Sequence, residues 1–578
     1  MRFFNLAMSG VCASLAAAAL PALVASGGII AGWAPAALAQ AVEPATKENC
    51  STGAPPTPTF SLFFDPNGVW PAYQVASPCL PTALTEALEA VGVARYKPLS
   101  STAVNAIQYD ATGTFTPPGA KAPLTLTQSR MQIGYAIPAF RFDYEADGRR
   151  RIDVWSYKFA WNETTPGAGA TPAMDQMDSR VPLIWLTPQG ALWAGVYADR
   201  KTKVSITGGK TILTAPAAQL GILSITTLSA DHLPEKTVLK YKGKSYEATF
   251  SDYQSDKPDY LNKFPGRMVW TVDGKEFGNF TITNFRANPY VVFPAPENVR
   301  QAAKPAASSH KYVYGPAFFP SAAEGFIATI KPQGETPRTK GGKVDLTGYW
   351  SKGGPPISID LGRSLLIPYE PVLQARRNNM NFAVPDRTML TRGRLNKPLY
   401  KPEYWSKIQA LDFGKIWDDP FFSGKPLGTP RNGMPAFIAM TDDWLMMKYY
   451  NLDSVRVIPL TGRKHTQDEV DYGNTYNGIG IGHWEGDTLI VESVGFNDIS
   501  WLFWTGYAHS ANMRVVEKFR RVGDVLYYDA TVYDDMLAEP WVLDTQVRRL
   551  NPDKADLPHE FPPWVEHDRD NTDPDYRG

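Results

Sequence analysis

From Asn105 onward the chain is written in short alternating runs broken by glycine turns, and this grammar constrains the fold more than any single motif. The segments "AIQYDATGTF", "AFRFDYEADGRRRIDVWSYKFAW", "TVLKYKGKSYEATFSDY" and "RMVWTVDGKEFGNFTITNFRA" alternate large apolar residues with polar ones. Between them stand "ADGR", "YKGK" and "VDGKE". Alternation with period two, punctuated by turns that need a positive φ, spells an antiparallel meander. The pattern returns after about Pro435 in "AFIAMTDDWLMMKYY", "SVRVIPL", "NGIGIGHW", "TLIVESVGF", "MRVVEKFRRV", "DVLYYDATVYDDM" and "PWVLDTQVRRL". A chain of 578 residues exceeds what one core usually organises, so two β domains are expected. The fold class is mainly β (α+β).

One helix precedes the first meander. In "LPTALTEALEAVG", Leu84, Leu88 and Val91 fall on one face, and Thr82 or Thr85 can cap it. Residues 296–343 are rich in Pro, Ala and Gly and read as a linker. The second domain starts at "VDLTGYWSK". Its opening portion is Pro/Arg-rich and partly helical, as in "KPEYWSKIQALDFG".

The N-terminus reads as an export signal. Arg2 gives a positive start, the next charge is Glu43, and the apolar stretch ends in "AALAQA" with Ala37 and Ala39 at the small-residue positions. A retained anchor is the alternative, but Pro21 and Pro35 make a poor spanning helix. The expected organisation is a signal peptide at 1–39, a leader at 40–79, a β domain at 80–295, the linker at 296–343 and a second β domain at 344–578. The address would be periplasmic or secreted. Cys50 and Cys79 are the two cysteines beyond the signal, and an oxidising compartment would pair them.

The first half carries a resemblance. The order of a helix, "AIQYDATGTF", "KFAWNET", "IWLTPQGALWAG" and "ITNFRANPYVVFPAPENVR" resembles an outer-membrane lipoprotein-carrier (LolA-like) domain over roughly residues 80–295. The resemblance implies a half-open barrel that wraps a helix and offers an apolar groove to acyl chains, together with an association with the outer membrane. Such domains precede metallo-β-lactamase-fold hydrolases in similar settings, but the zinc signature His-x-His-x-Asp-His is absent from this sequence. The second half is similar to an uncharacterised family of exported bacterial proteins, through "TGRKHT", "GHWEGDTLIVES", "GFND", "HS" before "VVEKFRR" and a late "PW". A lipocalin-like barrel is expected there.

Motifs of known chemistry are few. Gly478, Gly480 and Gly482 lack the dinucleotide spacing and lead into strand-like "TLIVESV", so "NGIGIGHWEGDTLIVESVGFND" reads as a β-hairpin turning at Gly486. Its glycines share one face, open to a bulky neighbour or ligand, and Ile479, Ile481 and His483 share the other. No Gly-x-Ser-x-Gly elbow, phosphate loop or His-Glu-x-x-His occurs. "HEFPPWVEHD" places His559 and His567 around two prolines that block a zincin helix, and "DRDNTDPDYRG" lacks the glycine and closing Glu of a calcium loop. Neither metal nor cofactor is expected. Equal numbers of basic and acidic residues, 58 each, argue against nucleic acid as the main partner.

Histidine placement carries the remaining signal. "TGRKHT" sets Arg463 beside His465, and "YAHSANM" sets His509 ahead of a strand. In that strand Met513, Val515, Glu517 and Phe519 share a face, so Glu517 would point inward and need a partner. If Arg463, His465 or His509 meets it, the cluster is either a general acid/base group or a structural ion pair. The candidate catalytic residues are therefore His465, His509 and Glu517, with Arg463 and His483 as ligand-binding candidates. Two functions follow: a binding or carrier protein for a lipid, terpenoid or aromatic molecule, or a metal- and nucleotide-independent lyase, isomerase or hydrolase of such a molecule. The sequence leaves the oligomeric state open.

Overall fold

The computed structural model describes residues 81–93, 104, 106–135, 138–156, 159–198, 201–255, 262–302, 331–350, 397–411, 419–449, 454–503, 506–543 and 545–551. The expected signal and leader, with Cys50 and Cys79, lie outside them, as do His559 and His567. Among the described residues no helix is long and apolar enough to cross a membrane. The protein is mainly antiparallel β, built on large open sheets.

The first half is one 13-stranded sheet. Six strands run in sequence: β1 (Ala106–Phe115), β2 (Leu124–Gly134), β3 (Ala139–Ala146), β4 (Arg149–Ser156), β5 (Phe159–Glu163) and β6 (Thr171–Pro172). Seven more follow: β7 (Lys203–Thr207), β8 (Lys210–Ala217), β9 (Ile222–Leu228), β10 (Pro234–Tyr241), β11 (Lys244–Ser255), β12 (Lys263–Val272) and β13 (Lys275–Ala287). Each pairs with its chain neighbour, except that β13 returns to pair with β1, so β6 and β7 end as the two edges. "VDGK" turns as expected, with Asp273 and Gly274 both at positive φ.

Helices fill the face of this sheet. α1 (Thr82–Ala90) buries Leu84, Leu88 and Val91 completely, as their spacing requires. Its N-cap is Pro81 rather than Thr82, with no side-chain cap hydrogen bond, and the Thr85 side chain lies outside what the structure describes. α2 (Met177–Trp185) and α3 (Pro188–Ala198) join β6 to β7, and every residue of α3 is buried. Gly195 lets Leu84 approach to 3.0 Å from where a Cβ would stand, which sets the crossing of α1 and α3. Trp193 donates to the Val104 carbonyl and Trp270 to the Leu186 carbonyl, at 3.3 and 3.0 Å. After β13, α4 (Glu297–Ala302) adds Val299 to the same core.

The second half corrects the barrel expectation. Among the described residues its strands form a four-stranded and a six-stranded sheet, with no closed barrel. The first holds β14 (Gly348–Tyr349), β15 (Phe437–Met440), β16 (Trp444–Lys448) and β17 (Val455–Pro459). The second holds β18 (Ile479–Glu485), β19 (Thr488–Val494), β20 (Arg514–Val522), β21 (Val525–Tyr533), β22 (Trp541–Val542) and β23 (Gln546–Arg549). Ile438, Leu445, Met447 and Ile458 of one sheet share a core with Leu489, Val491, Phe519 and Tyr528 of the other. α5 (Trp405–Ala410) lies ahead of β15, and α6 (Gln467–Val470) lies between β17 and β18.

The glycines of β18 explain why the sheets stack rather than join edge to edge. A Cβ on Gly480 would stand 2.5 Å from Ile458 Cδ1, and one on Gly482 2.5 Å from Leu460 Cδ2. The bulky neighbours of Gly480 and Gly482 are thus aliphatic side chains of β17 and the residue after it, while Gly478 is met by the Phe496 ring. β18 and β19 do form the expected hairpin, pairing Glu485 with Thr488 across Gly486 at φ +59°. Gly480→Val should overfill this layer and cost about 1–3 kcal/mol in a urea melt. An unchanged midpoint would show that the sheets can part freely.

The two halves meet through buried contacts. Tyr290, just past β13, donates its hydroxyl hydrogen to the Pro398 carbonyl at 2.9 Å and accepts from the Tyr400 amide at 3.0 Å. Arg141 of β3 lies 4.8 Å over the Trp405 ring of α5. Behind it, Glu163 accepts from Arg141 Nε at 2.8 Å, Trp161 Nε1 at 2.9 Å and the Gly167 amide at 2.7 Å.

Candidate functional site

The six-stranded sheet has two faces with opposite characters, and alternation along its strands sorts the candidate residues between them. Val491 and Ser493 of β19, Val515, Glu517 and Phe519 of β20, and Tyr528 and Ala530 of β21 turn toward the buried layer. Ile481 and His483 of β18, Glu492 and Val494 of β19, Arg514 of β20 and Tyr533 of β21 turn the other way. There they line an open cleft of about 780 Å³.

On the buried face, Glu517 meets Arg456 of β17. Arg456 Nη1 donates to Glu517 Oε1 at 3.0 Å, and Nη2 lies 2.7 Å from Oε2, off the direction of a good hydrogen bond. Tyr528 donates to the same Oε1, Arg456 Nη1 also donates to the Tyr449 hydroxyl, and Nη2 donates to Ser493 Oγ, all at 3.0 Å. Burial pushes the Tyr449 phenol up to about 12, and the adjoining Glu517 charge holds Arg456 firmly protonated. The partner of Glu517 is therefore Arg456, not Arg463, His465 or His509. The reason is geometric: Glu517 and the cleft residues lie on opposite faces of one sheet.

The cleft brings Arg463, His465 and His483 together along one lining. His465 Nε2 faces the Ile479 carbonyl at 2.9 Å, so it donates there and leaves Nδ1 toward Glu492 Oε1 at 3.8 Å. Arg514 donates to Glu492 Oε2 at 3.0 Å and stacks 3.8 Å over the Tyr533 ring. Arg463 makes a two-point pair with Glu469, which also closes the capping box of α6 with Thr466. That pairing and the Thr466 amide pull the Glu469 carboxyl down to about 2. His483 is exposed, 3.4 Å from Glu485. Between these polar groups lie Val470, Ile481, Val494 and Leu537. Burial raises the Glu539 carboxyl at the rim above its usual range. Among the described residues no three His, Cys, Asp or Glu side chains are grouped to hold a metal ion.

His509 lines neither face. It is buried behind the cleft wall, where its Nδ1 donates to the Ser510 carbonyl and its Nε2 accepts from Ser500 Oγ, both at 3.0 Å. Asp534 connects this pair to the cleft, accepting from the Ser510 amide at 2.8 Å and the Ser510 hydroxyl at 3.0 Å. Burial holds the imidazole below its ordinary range, opposed by the Ser510 backbone, the Asp534 and Asp498 charges and the Ser500 backbone. Above about pH 6.5 folded and unfolded chains are both neutral here, and the full contribution to stability is present. As pH falls below that value the unfolded chain takes the proton more readily, and stability declines toward the folded value. His509→Gln should flatten this decline in melting temperature between about pH 6.5 and 5. A profile parallel to wild type would assign the acid sensitivity elsewhere.

Sequence reasoning missed Arg456, Glu492, Arg514, Tyr533 and Ser500. A signal existed for Arg456, which shares strand parity with Ile458, while Val455 and Val457 stand exposed. Nothing in the sequence marked Ser500.

The fold and cleft together define an antiparallel β protein with an open cleft of mixed apolar and charged lining on its C-terminal sheet. No family model matches the chain, and no curated protein matches it. Among solved structures, a LolA superfamily protein from Nitrosomonas europaea is similar at 10% identity, over 36% of this chain and 96% of that one, with a TM-score of 0.23.

Proposed function

We propose that the chain is an exported, periplasmic or secreted binding protein whose ligand occupies the C-terminal cleft. The ligand would have an apolar body and a polar end, as a modified lipid, terpenoid or aromatic molecule does. One observation carries this reading: the cleft sets Val470, Ile481, Val494 and Leu537 beside His465, Glu492 and Arg514 in about 780 Å³, a size and mixture suited to a small molecule. The apolar side chains would cover the ligand body. The stacked Arg514 and the exposed His483 would orient its polar end. Membership of the exported family suggested by the C-terminal motifs, and an association with the outer membrane, belong to the same proposal.

The test uses 1-anilinonaphthalene-8-sulfonate, an aromatic molecule with one anionic group, on the full mature chain. Its fluorescence should rise saturably with wild type. Ala538→Trp should weaken binding at least about tenfold, because Ala538 is an exposed lining residue and an indole there fills the cleft. Equal binding by wild type and Ala538→Trp would sink the assignment. Native mass spectrometry of the gently purified protein should further show a bound species that Ala538→Trp lacks.

A further inference from the structure

β17 ends the four-stranded sheet, and its outer side offers an unused hydrogen-bonding ladder. The Tyr449 amide donates to the Ser454 carbonyl at 2.9 Å, and the Leu460 amide donates to the Asp443 carbonyl at 2.7 Å. With Met447 opposite Arg456 and Leu445 opposite Ile458, these bonds turn the backbone of Ser454, Arg456, Ile458 and Leu460 toward β16. The N–H and C=O groups of Val455 and Val457 therefore point away from the sheet. Among the described residues no group pairs with them. Natural edges are normally shortened, charged or covered. β6 and β14 are two residues long, and β7 begins at Lys203. The free side of β18 is closed by the Gly462 amide on the Gly482 carbonyl and by His465 on the Ile479 carbonyl. β17 instead presents Val455 and Val457, 49% and 64% exposed.

A groove of about 390 Å³ runs along this edge. Every residue from Val455 to Pro459 lines it, whichever face its side chain takes, so the groove follows the backbone rather than one face. Its floor is Thr475, Tyr476, Asn477 and Gly478, which lead into β18 beneath Ile458. The floor is anchored. The Thr429 amide donates to the Tyr476 carbonyl at 3.2 Å, Asn432 donates to Asn477 Oδ1 at 2.9 Å, and Asn477 Nδ2 donates to Ser454 Oγ at 3.2 Å. Of the residues lining the ligand cleft, only Arg463 also lines this groove.

We propose that the β17 groove is a docking site for an extended peptide segment of a partner protein, which joins the four-stranded sheet as a further strand. The main chain of that segment exchanges hydrogen bonds with Val455 and Val457. Side chains on one face of the added strand lie beside the exposed valines, and those on the other turn down onto Thr475, Tyr476 and Asn477. The matching segment therefore alternates β-branched apolar residues with small hydroxyl residues. A second copy of this chain fits less well. Pairing β17 with β17 across a two-fold axis would bring both groove floors into the same space beneath the seam. The site does not depend on the ligand assigned to the cleft.

The experiment titrates the full chain into a fluorescein-labelled peptide, Lys-Thr-Val-Thr-Val-Thr-Lys with an amidated end, and reads fluorescence anisotropy. Wild type should bind it saturably. The same peptide N-methylated at both valines keeps its side chains but loses the donors that face β17, so it should bind at least about tenfold more weakly. Val457→Pro removes one donor of the ladder without touching the β16 side, so it should melt with wild type and bind the peptide at least about tenfold more weakly. The N-methylated peptide makes the same test on unmutated protein. No saturable binding by wild type, equal affinity for the N-methylated peptide, or a folded Val457→Pro chain with wild-type affinity would each overturn the proposal. Concentration-dependent dimerisation that Val457→Pro abolishes would also overturn it, because the second copy would then be the occupant.

Discussion

Glu517→Ala is expected to cost the fold about 3–5 kcal/mol, because it strips a buried arginine of its carboxylate partner. The two side chains are 1% and 3% exposed, and each belongs to a different sheet. Without Glu517, the Arg456 guanidinium keeps its contacts to Tyr449 and Ser493, but its charge is left uncompensated between the sheets. Urea unfolding followed by tryptophan fluorescence should show the midpoint falling well below wild type. The double variant Arg456→Met with Glu517→Leu should recover most of the loss, since an apolar pair of similar volume needs no desolvation. A near-neutral Glu517→Ala would mean that water reaches the pair. That result would reopen a chemical role for Glu517.

A second large effect is expected at Glu163. Its carboxylate, 2% exposed like the Arg141 side chain, takes two bonds from Arg141 and one each from Trp161 and Gly167. Glu163→Ala should destabilise the chain by about 3–5 kcal/mol. Arg141 also lies 4.8 Å over Trp405 and 5.5 Å over Phe293, so its displacement would loosen the seam between the halves. Calorimetry should show a lower melting temperature together with a wider separation between unfolding of the first and second halves. A lower temperature with unchanged cooperativity would confine the effect to the first sheet.

The strand pattern was legible because alternation and turn chemistry are local. The runs from "AIQYDATGTF" to "PWVLDTQVRRL" fall on β1, β3–β5, β10–β13 and β15–β23, while β2, β6–β9 and β14 were not among them, and the inward face of β20 follows from Met513, Val515, Glu517 and Phe519 alone. What lies across a gap was not legible. Arg456 and Glu517 are 61 positions apart, and only the stacking of two sheets joins them. The barrel expectation failed for the same reason: period two says which residues face inward, but not whether the last strand finds the first. The cleft was half legible. "TGRKHT" and the outward side of "NGIGIGHW" marked Arg463, His465 and His483, while Glu492 and Arg514 read as ordinary surface charges.

The seam between β1 and β13 has a consequence for how the chain is made. Residues on β1 wait for partners more than 160 positions later: Phe115 faces Gly278, and Ile107 faces Ala287. A nascent chain that ends anywhere before β13 therefore presents β1 with one ladder side vacant, whatever else has already paired. Such an edge invites pairing with another chain. Closure of a loop this long is also slow compared with formation of the hairpins it joins. Assembly of the first half should be gated by arrival of the segment Lys275–Ala287 rather than by any earlier hairpin. Truncations upstream of it should yield insoluble material even though twelve of the thirteen strands are present.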